Sequence, residues 1–239
     1  MPAKEGEHQQ GISEDDLQGV DADRYYEIRK QFYRDATIAS GYDEHRISGA
    51  RSSRHRAEWR AIERALARAG GVRELLDLPT GTGRFVDALL ASGVRVAGAD
   101  ISREMMGQAQ ARVAGRDAGA GFVQCEAESM PFRDGSFDMA MSIRFFMHLT
   151  PVVRLSVLRE LARVSRRWVL VDYRHRHAPR NVIKRWAHAL RLRKSPAPPR
   201  VSRDEMHAEL AAAGLRSVEI FVVTPLFSDK WFVLCEKIS

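Results

Sequence analysis

The chain has 239 residues, enough for one domain with a full core, and 44% of them are hydrophobic, ordinary for a globular protein. No apolar run reaches the ~18 to 20 residues that a membrane span needs, and the polar, acidic start MPAKEGEHQQGISEDD resembles neither a secretory nor a transit leader, so a cytoplasmic protein is expected. The formal charge of +7 is local: residues 173–200 hold nine Lys and Arg and no acid, and removing those nine from +7 leaves −2.

Residues 1–20 are acidic, without period, and read as a disordered tail. A helical lid is expected over 21–70. Its first helix, about 21–38, carries Tyr25, Ile28, Phe32 and Tyr33; its second, about 54–69, carries an apolar stripe of Trp59, Ile62, Leu66 and Ala69. Gly41, Gly49 and neighbouring serines separate the two. From 71 to 239 the apolar runs VRELLDL, VRVAGAD, GFVQCEA, FDMAMSI and RWVLVDY alternate with helical patterns. That alternation predicts an α/β fold, a doubly wound and mostly parallel sheet with helices on both faces. SVEIFVVTPL and KWFVLCEKI then read as a C-terminal antiparallel hairpin closing one edge. Cys125 and Cys235 have no metal or framework spacing and are expected as buried strand thiols.

Ligands of open α/β sheets lie beyond the carboxyl ends of the strands, so the residues just past each strand matter most. After the first strand comes Asp77-Leu78-Pro79-Thr80-Gly81-Thr82-Gly83. Arg84 comes next, and the Lys-Ser/Thr pair of a phosphate loop is missing. The nicotinamide pattern GxGxxG also fails, because Val86 stands where its last glycine belongs. The second strand ends at Asp100, whose carboxylate can accept ribose hydroxyls; the third ends in Glu126-Ala127-Glu128. Acids on successive strand ends make a negative crevice, poor for a pyrophosphate and suited to a nucleoside that carries positive charge. Read singly, Asp77 is also a turn cap and Asp100 a cap for the helix that starts near Ser102.

Over about residues 70–172 these motifs resemble the class I S-adenosylmethionine-dependent methyltransferases, especially those acting on small molecules, quinones and lipids. The resemblance implies S-adenosylmethionine as cofactor. Asp77, Thr80, Gly81 and Gly83 match the turn that holds its methionine part. Pro79 stands where that turn usually has its first glycine, so a contact there must use its carbonyl. Asp100 matches the ribose acid with Ile101 beside the adenine, and Glu126 and Ala127 match the pair that reads the adenine edge. Met105 is either core or a wall of the adenosine pocket. Arg144 is expected to meet the cofactor carboxylate or an anionic substrate, and Tyr42 resembles the tyrosine of the family's N-terminal lid. His148, in the segment after the fourth strand, is expected as the catalytic base, with a capping or core histidine as the competing reading.

Methyl transfer needs no metal, and no ligand cluster is evident; His175 and His177 lack a partner acid nearby. The basic insert 173–200 contains NVIKRWAHALRLRK, whose Val182, Trp186, Ala189 and Leu190 share one helical face. Three readings stay open for it: a lid helix with a solvated face, contact with a membrane surface or lipid-like substrate through 181–194, and a grip on nucleic acid. The main expectation is a methyltransferase with a small-molecule, quinone-like or lipid-like acceptor. An RNA methyltransferase, for which no binding module is visible, and a non-catalytic cofactor-binding protein are the alternatives; the sequence leaves oligomeric state open.

Overall fold

The computed structural model describes residues 26–28, 30–31, 50–115, 119–176, 200–223 and 229–238. Short helical pieces at residues 26–28 and 30–31 and helix α1 (Ala50–Ala69) precede a sheet of seven strands. The strands are β1 (Glu74–Asp77), β2 (Arg95–Asp100), β3 (Ala120–Gln124), β4 (Phe137–Ser142), β5 (Ser165–Arg174), β6 (Leu215–Val222) and β7 (Lys230–Lys237). Helices α2 (Val86–Ala91), α3 (Arg103–Val113), α4 (Pro151–Val164) and α5 (Arg203–Ala212) connect them. The order across the sheet is β3-β2-β1-β4-β5-β7-β6. The first five strands pair in parallel, while β7 runs antiparallel between β5 and β6. This is the doubly wound sheet with a C-terminal hairpin that the alternating runs imply.

Because successive strand residues face opposite ways, each apolar run supplies both layers. Leu76, Val169, Val171 and Val233 pack against Val157, Leu158 and Leu161 of α4 and Met206 and Leu210 of α5. Leu75, Met139, Leu170 and Phe232 pack on the other face against Ile62 and Ala65 of α1 and Val86 and Leu89 of α2. Val86, the residue that spoils the nicotinamide pattern, is a core residue. Local signals fix the helix starts: Ser102 caps α3, Thr150 with Pro151 starts α4, and Ser202 with Glu205 forms a reciprocal capping box on α5.

The buried stripe of α1 differs from the expected one. Glu58, Ala61, Ile62 and Ala65 are buried, whereas Trp59 and Leu66 are only half-buried. The alanines bring the helix close to the sheet, and ion pairs to Lys230, Arg144 and Arg84 compensate the buried acid. Cys235 is buried in β7 as expected, but Cys125 lies just past β3 and is half-buried. Among the described residues no helix is long and apolar enough to cross a membrane.

Candidate functional site

Strand order reverses between β1 and β4, opening a crevice at their carboxyl ends. The loop after β1 is anchored on both sides of it. Leu78 N–H donates to the Met141 carbonyl of β4 (2.9 Å), and Thr80 N–H donates to the Ala99 carbonyl of β2 (2.8 Å). The Leu78–Pro79 peptide is cis. Gly83 has φ +73°, and a Cβ there would lie 2.8 Å from Ala109 Cβ, so only glycine lets the loop pack on α3.

Two carboxylates sit at the centre of this loop. Asp77 is buried and accepts from Thr80 Oγ1 (3.1 Å). Burial, with a smaller push from Asp100, lifts its carboxyl to about 7. Asp100 is buried as well; it accepts the Gly81 N–H (2.8 Å) and the Ser102 N–H (2.9 Å), and burial raises it despite those bonds. The competing cap reading of Asp100 is thereby partly realised, although the α3 cap itself is Ser102. Among the described residues no Lys, Arg or His pairs with either acid.

A cleft opens beside this pair, walled by Pro79, Ile101, Ala127, Glu128, Phe145 and His148, with Tyr26 and Lys30 across it. The structure therefore brings Pro79, Asp100, Ile101, Ala127 and His148 together around one space. Met105 is buried (3% exposed) and is not part of the wall; it is a core residue. Glu126 is likewise absent from the wall: its side chain is turned to Lys30 Nζ (2.8 Å), which also meets Glu128 (3.2 Å). Burial would lower the Lys30 ammonium, but those two acids raise it overall. Burial and then Glu128 push the Tyr26 hydroxyl upward. His148 closes a 3₁₀ turn (Phe146–His148) after β4, which puts its ring at the cleft edge. Tyr42 lies outside the described residues, as do the tail 1–20 and residues 177–199 of the basic insert.

Outside the cleft wall lies an ion network that the sequence pattern did not reveal. Glu58 of α1, fully buried, meets Lys230 Nζ at 2.8 Å, Arg144 Nε at 3.4 Å and Arg84 Nη2 at 3.4 Å. Burial alone would raise its carboxyl; Lys230, then Arg144 and Arg84, more than offset this and hold it below its ordinary value. Lys230 also reaches Asp172 (3.4 Å), and Asp172 accepts the Arg144 N–H (2.7 Å). That bond holds Arg144 at φ +67°, the one positive φ at a non-glycine position among the described residues. Arg144 is therefore tied into the protein's own carboxylates. One signal was available: Glu58 continues the Ile62–Ala65–Ala69 line at helical spacing, which places an acid on the core face.

Among the described residues no three His, Cys, Asp or Glu side chains group as a metal site. The negative pair at the glycine turn suits a cationic ligand. Burial favours the protonated form of Asp77, and a cation beside it would draw it back to the ionised form.

The sequence profile of a methyltransferase domain family matches residues 75–167. A demethylmenaquinone methyltransferase of Clavibacter sepedonicus is 41% identical over 109 residues, 45% of this chain and 42% of that protein. Another, from Roseiflexus sp. (strain RS-1), is 33% identical over 164 residues, 67% of this chain and 65% of the relative. The chain thus spans less than two thirds of the length of either. Among solved structures, magnesium protoporphyrin IX methyltransferase from Synechocystis PCC 6803 with bound SAH superposes with a TM-score of 0.69 at 15% identity, covering 87% of this chain and 99% of that one. A SAM-dependent methyltransferase from Aquifex aeolicus gives 0.60 at 18% identity, covering 85% and 99%. These likenesses bear on the fold.

Proposed function

Since this chain belongs to the class I S-adenosylmethionine-dependent methyltransferases, we propose that it transfers the cofactor's methyl group to a small, quinone-like or lipid-like acceptor. The observation that carries the reading is the buried pair Asp77 and Asp100, on adjacent strand ends and without a protein cation. A pyrophosphate would be repelled there; a sulfonium nucleoside with an ammonium group supplies the missing positive charge. The names of the curated relatives support a quinone-like acceptor.

Asp77, Thr80, Gly81 and Gly83 would hold the methionine end, and Asp100 the ribose; its two oxygens have lone pairs left beyond the bonds to Gly81 and Ser102. Ile101 and Ala127 would flank the adenine. Glu126 would join them once Lys30 releases it, and Tyr42 would belong to the lid. Bound S-adenosylmethionine supplies an electrophilic methyl group. The chain's own task is to align the acceptor and exclude water. Tyr26 and Lys30 cover the cleft. His148, from the crevice edge, would take a proton onto an imidazole nitrogen from an acceptor hydroxyl or ring, raising the nucleophilicity of the attacking atom.

The test is incubation of the full chain with methyl-labelled S-adenosylmethionine and a lysate, then separation into organic, aqueous, nucleic-acid and protein fractions. Label in the organic fraction, lost with His148→Ala, is expected. Label confined to nucleic acid or protein would overturn the acceptor class, and no label from a chain that still binds S-adenosylhomocysteine would overturn catalysis.

A further inference from the structure

Beyond β4 from the acidic pair, two guanidinium groups share a single carboxylate. Arg174 ends β5, Arg200 is the last residue of the basic insert, and Asp229 precedes β7. Asp229 accepts from Arg174 Nη1 (2.6 Å) and from Arg200 Nε (2.9 Å). Burial would raise its carboxyl, but the two arginines dominate and hold it at about 2, fully ionised at neutral pH. One positive charge is left over.

The Glu58–Asp172 network carries a like surplus, three cations on two carboxylates, whereas the more exposed arginines are balanced or open to solvent. Arg163 meets two acids, Glu160 and Asp134, and Arg166 also meets two, Glu74 and Asp138. Glu236 takes two arginines, Arg167 and Arg216, but those are 62% and 67% exposed and water serves them. Arg174 and Arg200 are only 25% and 19% exposed. Arg174 Nε is buried with no hydrogen-bond partner, so a donor that normally finds an acceptor lacks one. A simple clasp across the base of the insert would need only one of these two guanidinium groups.

The position gives the surplus a use. Arg174 Nη2 lies 3.8 Å from Met147 Sδ, and the next residue, His148, lines the cofactor cleft. We propose that the half-buried Arg174–Asp229–Arg200 cluster binds an anionic group of the acceptor, a carboxylate or an ionised ring hydroxyl, and so selects acidic aromatic or lipid-like molecules over neutral ones. This deepens the methyltransferase reading and rests on it for the word acceptor. Guanidinium groups suit such planar oxyanions because they present parallel N–H donors.

The probes are 2-naphthoate, anionic at pH 7, and its uncharged counterpart 2-naphthalenemethanol. Each is titrated into the full chain with and without S-adenosylhomocysteine. The naphthoate is expected to bind about tenfold more tightly, the scale of one charge-assisted hydrogen-bond set. Arg174→Gln and Arg200→Gln should erase that preference without changing S-adenosylhomocysteine affinity, while Arg174→Lys should keep part of it. Equal binding of the two probes by the unmodified chain, or a preference surviving both Gln substitutions, would overturn the proposal. Failure of S-adenosylhomocysteine to bind the unmodified chain would instead overturn the methyltransferase reading, and the naphthoate preference would still be read without it.

Discussion

At the ends of β1 and β2, Asp77 and Asp100 are buried beside each other, and burial raises both above their ordinary values. At the ends of β4, β5 and β7 the buried acids Glu58 and Asp172 are instead matched by Lys230 and Arg144. The fold thus buries carboxylates in two ways. Where a protein cation answers the charge, removing either partner should cost stability. Where none answers, the fold tolerates a protonated acid and keeps a place for a cation from outside. Perturbed acids mark function more securely when they lack an internal partner.

The sharpest way to break this comparison is at Glu58. Glu58→Gln leaves Lys230 and two arginines facing a neutral amide, and removing one partner of a buried ion pair costs about 3 to 5 kcal/mol. The midpoint of urea unfolding should fall by a matching amount. An unchanged midpoint would mean that the network is solvated and the contrast false.

Next in size is Gly83→Ala, which meets Ala109 at 2.8 Å and strains φ +73°. It should cost about 1 to 3 kcal/mol in thermal unfolding and weaken cofactor binding together with stability.

Asp77 should respond to pH. Its folded value of about 7 stands above the ordinary 3.8, so between those values the folded chain keeps a proton that the unfolded chain releases. Its contribution to stability is therefore full below pH ~4 and is lost as pH rises through ~7. Asp77→Asn should remove that loss, raising the melting temperature relative to the parent more at pH 8 than at pH 4. Cofactor affinity should move in the opposite sense in the parent, weakening below pH ~7 where a proton must first leave, and should depend less on pH in the variant, where Asp100 alone of the pair still titrates. Calorimetry in two buffers of different ionisation enthalpy reads the released proton. No proton release at pH 6 would contradict the assignment.

The smallest effect is expected at Lys30. Its partner Glu126 is 43% exposed, so the pair contributes about 0 to 1 kcal/mol to stability. Lys30→Ala should nevertheless strengthen S-adenosylhomocysteine binding a few-fold, because it frees Glu126 for the adenine edge. Weaker binding in the variant would make Lys30 a ligand contact.

How much was legible in the sequence depends on the range of the forces involved. Strands and connecting helices were legible because their periodicity is local, and Asp77 stood out as an acid inside an apolar run. Asp172 in RWVLVDY is the same signal, yet its role depends on Lys230, a partner that only sheet pairing brings near. The pairing of Glu126 with Lys30 depends on a residue distant in sequence. The α1 stripe was read from its largest apolar residues, whereas the alanines set the close approach to the sheet. Arg174 and Arg200 were visible only as basic residues; their shared carboxylate is a tertiary fact.

The central claim is that uncompensated acids at the glycine turn hold a sulfonium nucleoside. Calorimetric titration of S-adenosylhomocysteine and NADH into the chain and into Asp100→Ala tests it most directly. The account expects micromolar binding of S-adenosylhomocysteine, none of NADH, and loss of the former in the variant by about tenfold or more, the scale of a lost charge-assisted hydrogen bond. Binding of NADH in its place, or S-adenosylhomocysteine affinity unchanged by Asp100→Ala, would contradict it.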